Sequence, residues 1–174
     1  MPAQLFLTEL DTPTGSLKLF ANDSALVTVW WDQGEGLSTA FSGAVRNDSH
    51  PILNETARQL REYFDGKRRQ FDLPLDPHGT DFQKKTWLAL RQIPFGQTRT
   101  YGDIARQIQM PAASRAVGAA NGKNPIPIIV PCHRVIGANG TLTGFGGGLQ
   151  YKALLLSLEG IHVTEKTVQP VLTF

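Results

Sequence analysis

Hydrophobic positions follow two rhythms along the chain. Through the first third they sit in short runs rich in β-branched and aromatic residues. "QLFLTEL", "SLKLFAN" and "SALVTVWWD" are separated by the turn-forming "DTPTG" and by Asn22-Asp23, which predicts three strands. The period then lengthens. Leu53, Ala57, Leu60 and Phe64 fall on one face of a helix over Pro51 to Asp65, and Gly66 stands where it should stop. "QFDLPL" reads as one more strand. The turn-rich "PLDPHGT", Pro74 to Thr80, predicts a boundary between two domains, residues 1–78 and 79–174.

Beyond that boundary the pattern is helical. Thr80 and Gln83 have the spacing of a capping box before "FQKKTWLALRQI", and "PFGQ" breaks that helix. Thr100 and Asp103 repeat the spacing at "YGDIARQIQ". Met110-Pro111 makes a turn, and "AASRAVGAAN" follows as a short helix closed by Asn121-Gly122. These two short helices read as a helix-turn-helix or as an ordinary helix pair. The second is lined with Ala and Gly, so its backbone can lie close to another surface, and Arg115 is its one charge. "LQYKALLLSLEG" is a final helix with Gly160 as its stop.

With 41% hydrophobic and 18% charged residues in 174, the composition is that of a globular protein with a real core. Apolar runs such as Ile128 to Val130 are far too short to span a membrane, and "MPAQLFLTEL" does not read as a signal peptide. A single cysteine excludes an internal disulfide and fits a reducing, cytoplasmic setting. Four scattered histidines and no CxxC predict no metal site. Charge does change the picture. Residues 1–78 hold 7 Lys/Arg against 11 Asp/Glu, whereas residues 79–174 hold 10 against 4. The basic half suggests an anionic partner, against chance variation in surface charge.

The lone thiol, Cys132, lies in "NPIPIIVPCHRVIG". It is either a small buried hydrophobe or a nucleophile beside a base. Residues before proline favour extended backbone, so the run should approach Cys132 as a stiff strand. If Pro131 opens a helical turn, free N–H groups there would favour the thiolate. His133 is the obvious base, but neighbours in sequence do not face each other, so a relay through one water is easier to build. Such a histidine needs an orienting carboxylate. The second half offers Asp81, Asp103, Glu159 and Glu165. Glu159 stands out because a carboxylate at a helix C-terminus is unfavourable unless something else holds it; spacing alone favours a solvated surface residue. "GFGGG", Gly144 to Gly148, lacks the GK[ST] of a phosphate loop. It is either a flexible turn or a place where a flat ligand meets backbone, with Phe145 as a wall. A cysteine hydrolase would carry its Cys and His far apart, and no such signature is present.

"PCHRV", the upstream "NPIPIIV", "SRAVGAAN" and the later "LEG" together resemble the O6-alkylguanine-DNA alkyltransferases in order and spacing, most strongly from about Phe82 to Gly160. The resemblance implies an α/β (α+β) chain. Residues 1–78 would form an RNase H-like sheet-and-helix domain; residues 79–174 would be a mostly helical domain with a helix-turn-helix. It implies DNA repair by stoichiometric transfer of an alkyl group from O6-alkylguanine to Cys132. His133 would deprotonate the thiol through water, Glu159 would orient the imidazole, and Tyr101 would donate a proton toward the leaving base. Arg115 would fill the stack left by the flipped nucleotide, with Ala113, Ser114 and Gly118 on the same DNA-binding helix. Asn124 would brace the active-site turn, and Val135, Phe145 and Gly146 would line the base pocket. The implied partner is double-stranded DNA, bound through its minor groove by a monomer in the cytoplasm or on the nucleoid. No cofactor, metal or membrane is implied. Some members have serine and tyrosine where Gly146 and Phe145 stand, and some bind zinc through cysteines this chain lacks. The rival is a non-catalytic helix-turn-helix protein that only binds DNA or its lesions.

Overall fold

A computed structural model describes residues 3–32, 37–164 and 167–168. The chain divides into two compact units, Met1–His78 and Gly79–Phe174.

The first unit is built on a four-stranded sheet. β1 (Phe6–Thr12) and β2 (Gly15–Ala21) form an antiparallel hairpin, β3 (Leu26–Trp31) pairs antiparallel with β2, and the short β4 (Val45–Arg46) adds parallel to β1, in the order β3-β2-β1-β4. Alternation is clear in β1, where Thr8 and Leu10 are buried and Glu9 and Asp11 are exposed. In β3 all but the half-buried Trp30 are buried. Helix α1 (Pro51–Phe64) lays Leu53, Thr56, Ala57, Leu60 and Tyr63 into this core. The aromatic that this helix buries is therefore Tyr63, and Phe64 is only half-buried. Its end is a Schellman motif: Gly66, at φ 74°, donates to the Tyr63 carbonyl and Lys67 to that of Glu62.

"QFDLPL" is not a strand. Its backbone at Asp72 is taken by a side chain: Gln59 Nε2 donates to the Asp72 carbonyl (2.9 Å) and the Asp72 N–H donates to Gln59 Oε1 (2.9 Å). Pro74 has no N–H to give, and pairing shrinks to one bridge, Leu26 with Leu75. That bridge covers the edge of β3 at Leu26.

The second unit is mainly helical. Helix α2 (Asp81–Leu90) and helix α3 (Tyr101–Gln107) each begin with a complete capping box, Thr80/Gln83 and Thr100/Asp103. Trp87 on α2 donates from Nε1 to the Ala120 carbonyl (2.8 Å) and so fixes the end of α4 (Ser114–Gly122). Between α3 and α4 the chain turns through Gln109, at φ 63°, and Met110 donates back to Ala105. A parallel pair, β5 (Arg99–Thr100) with β6 (Val135–Ile136), brings the start of α3 beside the residues that follow Cys132. Helix α5 (Leu149–Leu158) ends in a second Schellman motif, with Gly160 at φ 81° and Ile161 donating to Leu156. Two short strands, β7 (Val163–Thr164) and β8 (Thr167–Val168), close the described chain. Among the described residues no helix is long and apolar enough to cross a membrane.

Candidate active site

The approach to Cys132 is a tight turn, not the stiff strand that three X-Pro steps suggest. The Val130 N–H donates to the Ile126 carbonyl (2.9 Å), and Ile128 sits between them at φ 72°. A β-branched residue rarely adopts that conformation, which costs about 1–3 kcal/mol and persists only where its surroundings enforce it. Here they do. Ile128 is fully buried, and Asn124 clamps both ends of the turn, accepting from the Ile126 N–H (3.0 Å) and donating to the Val130 carbonyl (2.8 Å). Pro131 then makes an inverse γ-turn (φ −79°, ψ 64°), with the Cys132 N–H on the Val130 carbonyl at 2.8 Å. Cys132–Arg134 follow as one 3-10 turn, all three buried.

The N–H groups of this turn favour the thiolate, as the sequence suggests, but burial works against them. Burial pushes the Cys132 thiol up, and that outweighs the opposing pull of Asn124, of the Lys152 ammonium and of the Cys132 and His133 N–H groups. The resting group is a thiol. Its deprotonation needs a base.

His133 points its Nε2 at Glu159 Oε1, 2.7 Å away, with both side chains fully buried. Burial holds the imidazole below its ordinary value despite Glu159, so the neutral ring gives its Nε2–H to the carboxylate. Its Nδ1 is then a bare acceptor and has no partner among the described protein groups. The His133 ring makes no hydrogen bond to the Cys132 thiol.

Glu159 caps the C-terminus of α5 and is buried. Arg134 grips it with two bonds, Nε to Oε2 (2.8 Å) and Nη2 to Oε1 (2.9 Å), and the Gly96 N–H adds one to Oε2 (3.2 Å). Burial alone would raise this carboxyl; His133 and then Arg134 together hold it down at about 2. Arg134 spends a third bond on the Ile93 carbonyl (2.7 Å) and stacks over Phe95. Gly96 is needed twice over. It sits at φ 77°, and a Cβ there would press to 3.2 Å on the Glu159 carbonyl oxygen.

Tyr101 opens α3, half-buried, with its hydroxyl between Thr143 Oγ1 (3.0 Å) and the Thr143 carbonyl (3.2 Å). Burial raises its pKa, so it remains a phenol at neutral pH. Gly118 on α4 lies against this ring: a Cβ there would stand 3.7 Å from it. Lys152, fully buried on α5, donates to the carbonyls of Val135 (2.6 Å) and Thr143 (2.8 Å). Burial lowers its pKa to about 8, against the pull of the Cys132 charge. Val135 is buried, Phe145 half-buried and Gly146 exposed, with no atom within 4 Å of a Cβ built on it. On α4, Arg115 is exposed, Ala113 and Ser114 are half-buried, and Ala116 and Ala119 are exposed.

The structure thus gathers Cys132, His133 and Glu159 into one buried cluster with the half-buried Asn124, and Tyr101 is linked through Thr143 and Lys152. Arg115 stands apart on the open face of α4. Sequence reasoning missed Arg134, Gly96 and Lys152. Only Lys152 left a trace, as a cation inside the apolar "LQYKALLLSL". Glu165 lies outside the described residues.

The family model for the 6-O-methylguanine DNA methyltransferase DNA-binding domain matches residues 81–161, and that for the ribonuclease-like domain matches residues 5–77. The methylated-DNA–protein-cysteine methyltransferase of Methanosarcina acetivorans is 47% identical over 156 residues, covering 90% of this chain and 99% of its own. The crystal structure of Mycobacterium tuberculosis O6-methylguanine methyltransferase superposes with a TM-score of 0.84 at 45% identity, covering 90% of this chain and 93% of that one. The M. tuberculosis protein in complex with DNA gives 0.81 at 45% identity, covering 90% and 92%. With both domains matched in order and relatives aligned over nearly its whole length, the chain belongs to the 6-O-methylguanine DNA methyltransferase family.

Proposed function

We propose that this protein repairs DNA directly, moving an alkyl group from O6 of guanine to Cys132 and keeping it there. The observation that carries this reading is the buried series Glu159–His133. It leaves one unpartnered imidazole nitrogen on the residue next to the chain's only cysteine. A neutral base whose far N–H is anchored to a carboxylate can take a proton at its open nitrogen and keep the resulting cation paired.

The Cys132 S–H proton passes to a water as that water gives a proton to His133 Nδ1. The thiolate, favoured by the Lys152 charge and by Asn124, attacks the alkyl carbon. A C–S bond forms, the C–O6 bond breaks, and its electron pair stays on guanine. Tyr101, a phenol at this pH, gives the leaving base a proton or a hydrogen bond. Afterwards His133 gives up its extra proton to solvent and any proton Tyr101 has given is replaced from solvent, so in sum guanine gains one proton and Cys132 loses one. The product is a thioether, which has no carbonyl carbon for water to attack, and one protein serves one lesion without a cofactor.

The reactive oxygen lies inside the duplex, so the nucleotide must be turned out of the stack. Helix α4 suits the minor groove: its exposed face carries alanines that allow close approach, and it offers no array of polar side chains for base readout. Arg115, exposed on that face, would fill the vacated stack. Gly118, packed under Tyr101, links the DNA-facing helix to the proton donor. Phe145 and Val135 would flank the extruded base, and Gly146 leaves space beside it.

The test is Cys132→Ala. The variant should bind duplex DNA carrying O6-methylguanine with nearly unchanged affinity and transfer no methyl. Continued loss of the methyl group from the DNA would contradict the reading, and protection of alkylated cells by this variant would point to the non-catalytic lesion binder.

A further inference from the structure

Asn121 is nearly fully buried near the end of α4, and its side chain is half used. Nδ2 donates to the Cys132 carbonyl (3.3 Å), the oxygen of the peptide that joins Cys132 to His133. This bond fixes the orientation of the amide, because the reverse placement would set two oxygens against each other. Oδ1 is then a buried acceptor with no partner among the described protein groups. Such an atom costs about 1–3 kcal/mol if nothing donates to it. The other unpartnered acceptor beside this peptide is His133 Nδ1, the ring nitrogen nearer its own backbone. Two bare acceptors thus belong to side chains that adjoin the one peptide following the thiol-bearing residue.

We propose that Asn121 is a positioning residue for the proton relay: its Oδ1 and His133 Nδ1 together hold the water that carries the proton from Cys132. A water has two hydrogens and two lone pairs. With one hydrogen on Asn121 Oδ1 and the other on His133 Nδ1, a lone pair is left for the Cys132 S–H. Without Asn121 the same water can rotate, and its transferable hydrogen is aligned only part of the time. During transfer the S–H bond breaks as a new O–H bond forms, and the O–H bond facing His133 breaks as the N–H bond forms. The hydrogen on Asn121 stays in place throughout. Asn124, four residues from α4's Ala120, has a separate task, since both ends of its amide are committed to the turn.

The proposal rests on the relay reading above, and the experiment separates the two. Single-turnover methyl transfer from duplex DNA would be followed against pH for the unmodified protein, Asn121→Leu and His133→Phe. Because Cys132 is the chain's one cysteine, alkylation by iodoacetamide reports the same thiol without DNA. Asn121→Leu should slow both reactions about tenfold near neutral pH and leave DNA affinity unchanged. The deficit should close at high pH, where hydroxide ionises the thiol directly. A deficit that is equal at every pH, or none, would overturn the role of Asn121. If His133→Phe were also without effect, the relay itself would fall with it. Should Asn121→Leu not fold, a high-resolution crystal structure of the unmodified protein decides: one water within hydrogen-bond distance of both acceptors supports the proposal, and a water bound to His133 Nδ1 alone overturns it.

Discussion

Each unit of this molecule buries a polar side chain deep in its core, and the two are finished differently. In the N-terminal unit Gln59 donates to Glu55 and to the Asp72 carbonyl and accepts from the Asp72 N–H. Both ends of the amide are used, and the result is a staple between α1 and the segment after it. In the C-terminal unit Glu159 is even better furnished, by His133, Arg134 and Gly96, but the series ends on an open nitrogen. A closed network holds structure; one that ends in a bare acceptor beside a thiol can move a proton. An orphan acceptor alone is insufficient. His50 Nδ1 in the N-terminal unit is also unpartnered, but that ring stacks on Phe6 and no thiol adjoins it.

The comparison is broken most forcefully at Glu159. Glu159→Gln keeps the shape and removes the charge that pairs Arg134 and orients His133. Breaking a buried pair costs about 3–5 kcal/mol, and the low end fits here because Arg134 keeps the Ile93 carbonyl. Methyl transfer should fall by about 10²-fold or more in the protein that remains folded. The variant also tests pH dependence. Glu159 titrates at about 2 instead of its ordinary 4.5, so its stabilisation is fully present above about 4.5 and is lost as pH falls through about 2. His133, held below 6.5 by burial, adds a loss of the same sign beginning nearer neutrality. Acid titration of stability should therefore be shallower in Glu159→Gln; an unchanged acid limb would refute this account of the network.

Gln59→Leu is the counterpart. It leaves the Asp72 N–H and carbonyl without their partners and should lower stability by about 1–3 kcal/mol. The transfer rate per folded molecule should be that of the unmodified protein. A slowed reaction in folded protein would mean that the N-terminal network also takes part in the chemistry.

These two networks were unequally legible in the chain. "PCHR" marked the thiol and its base, and Glu159 betrayed itself as a carboxylate at a helix end where the dipole disfavours it. Both capping boxes and both glycine stops, Gly66 and Gly160, were readable because each is a local rule within four residues. The remainder depends on chain closure. Gly96 meets Glu159 across 63 positions, and Arg134 meets Ile93 across 41. No periodicity carries such pairs. "QFDLPL" had strand composition but lost its backbone groups to a helix side chain. Ile128 was illegible for another reason: its positive φ runs against its own preference and is imposed by Asn124 and burial. The N–H groups that favour the thiolate were legible beside Pro131, whereas the burial that outweighs them is a product of the whole fold.

A smaller effect is expected at the exposed end of the site. Arg115→Ala touches no network and should leave stability within about 0.5 kcal/mol. Transfer from duplex DNA should slow by about tenfold, whereas reaction with free O6-benzylguanine should be unaffected, because only the duplex has a stack to fill. Equal losses on both substrates would remove Arg115 from the flipping step and leave the buried relay untouched.

The central claim is that Cys132 accepts the alkyl group and is used once. Titration with increasing O6-methylguanine duplex, followed by mass spectrometry of the intact protein and of the peptide containing "PCHR", tests it most directly. The account predicts a plateau at one added methyl per chain, all of it on Cys132, with guanine restored in equal amount. Demethylated DNA in excess of protein, or a methyl group found on any other residue, would contradict it.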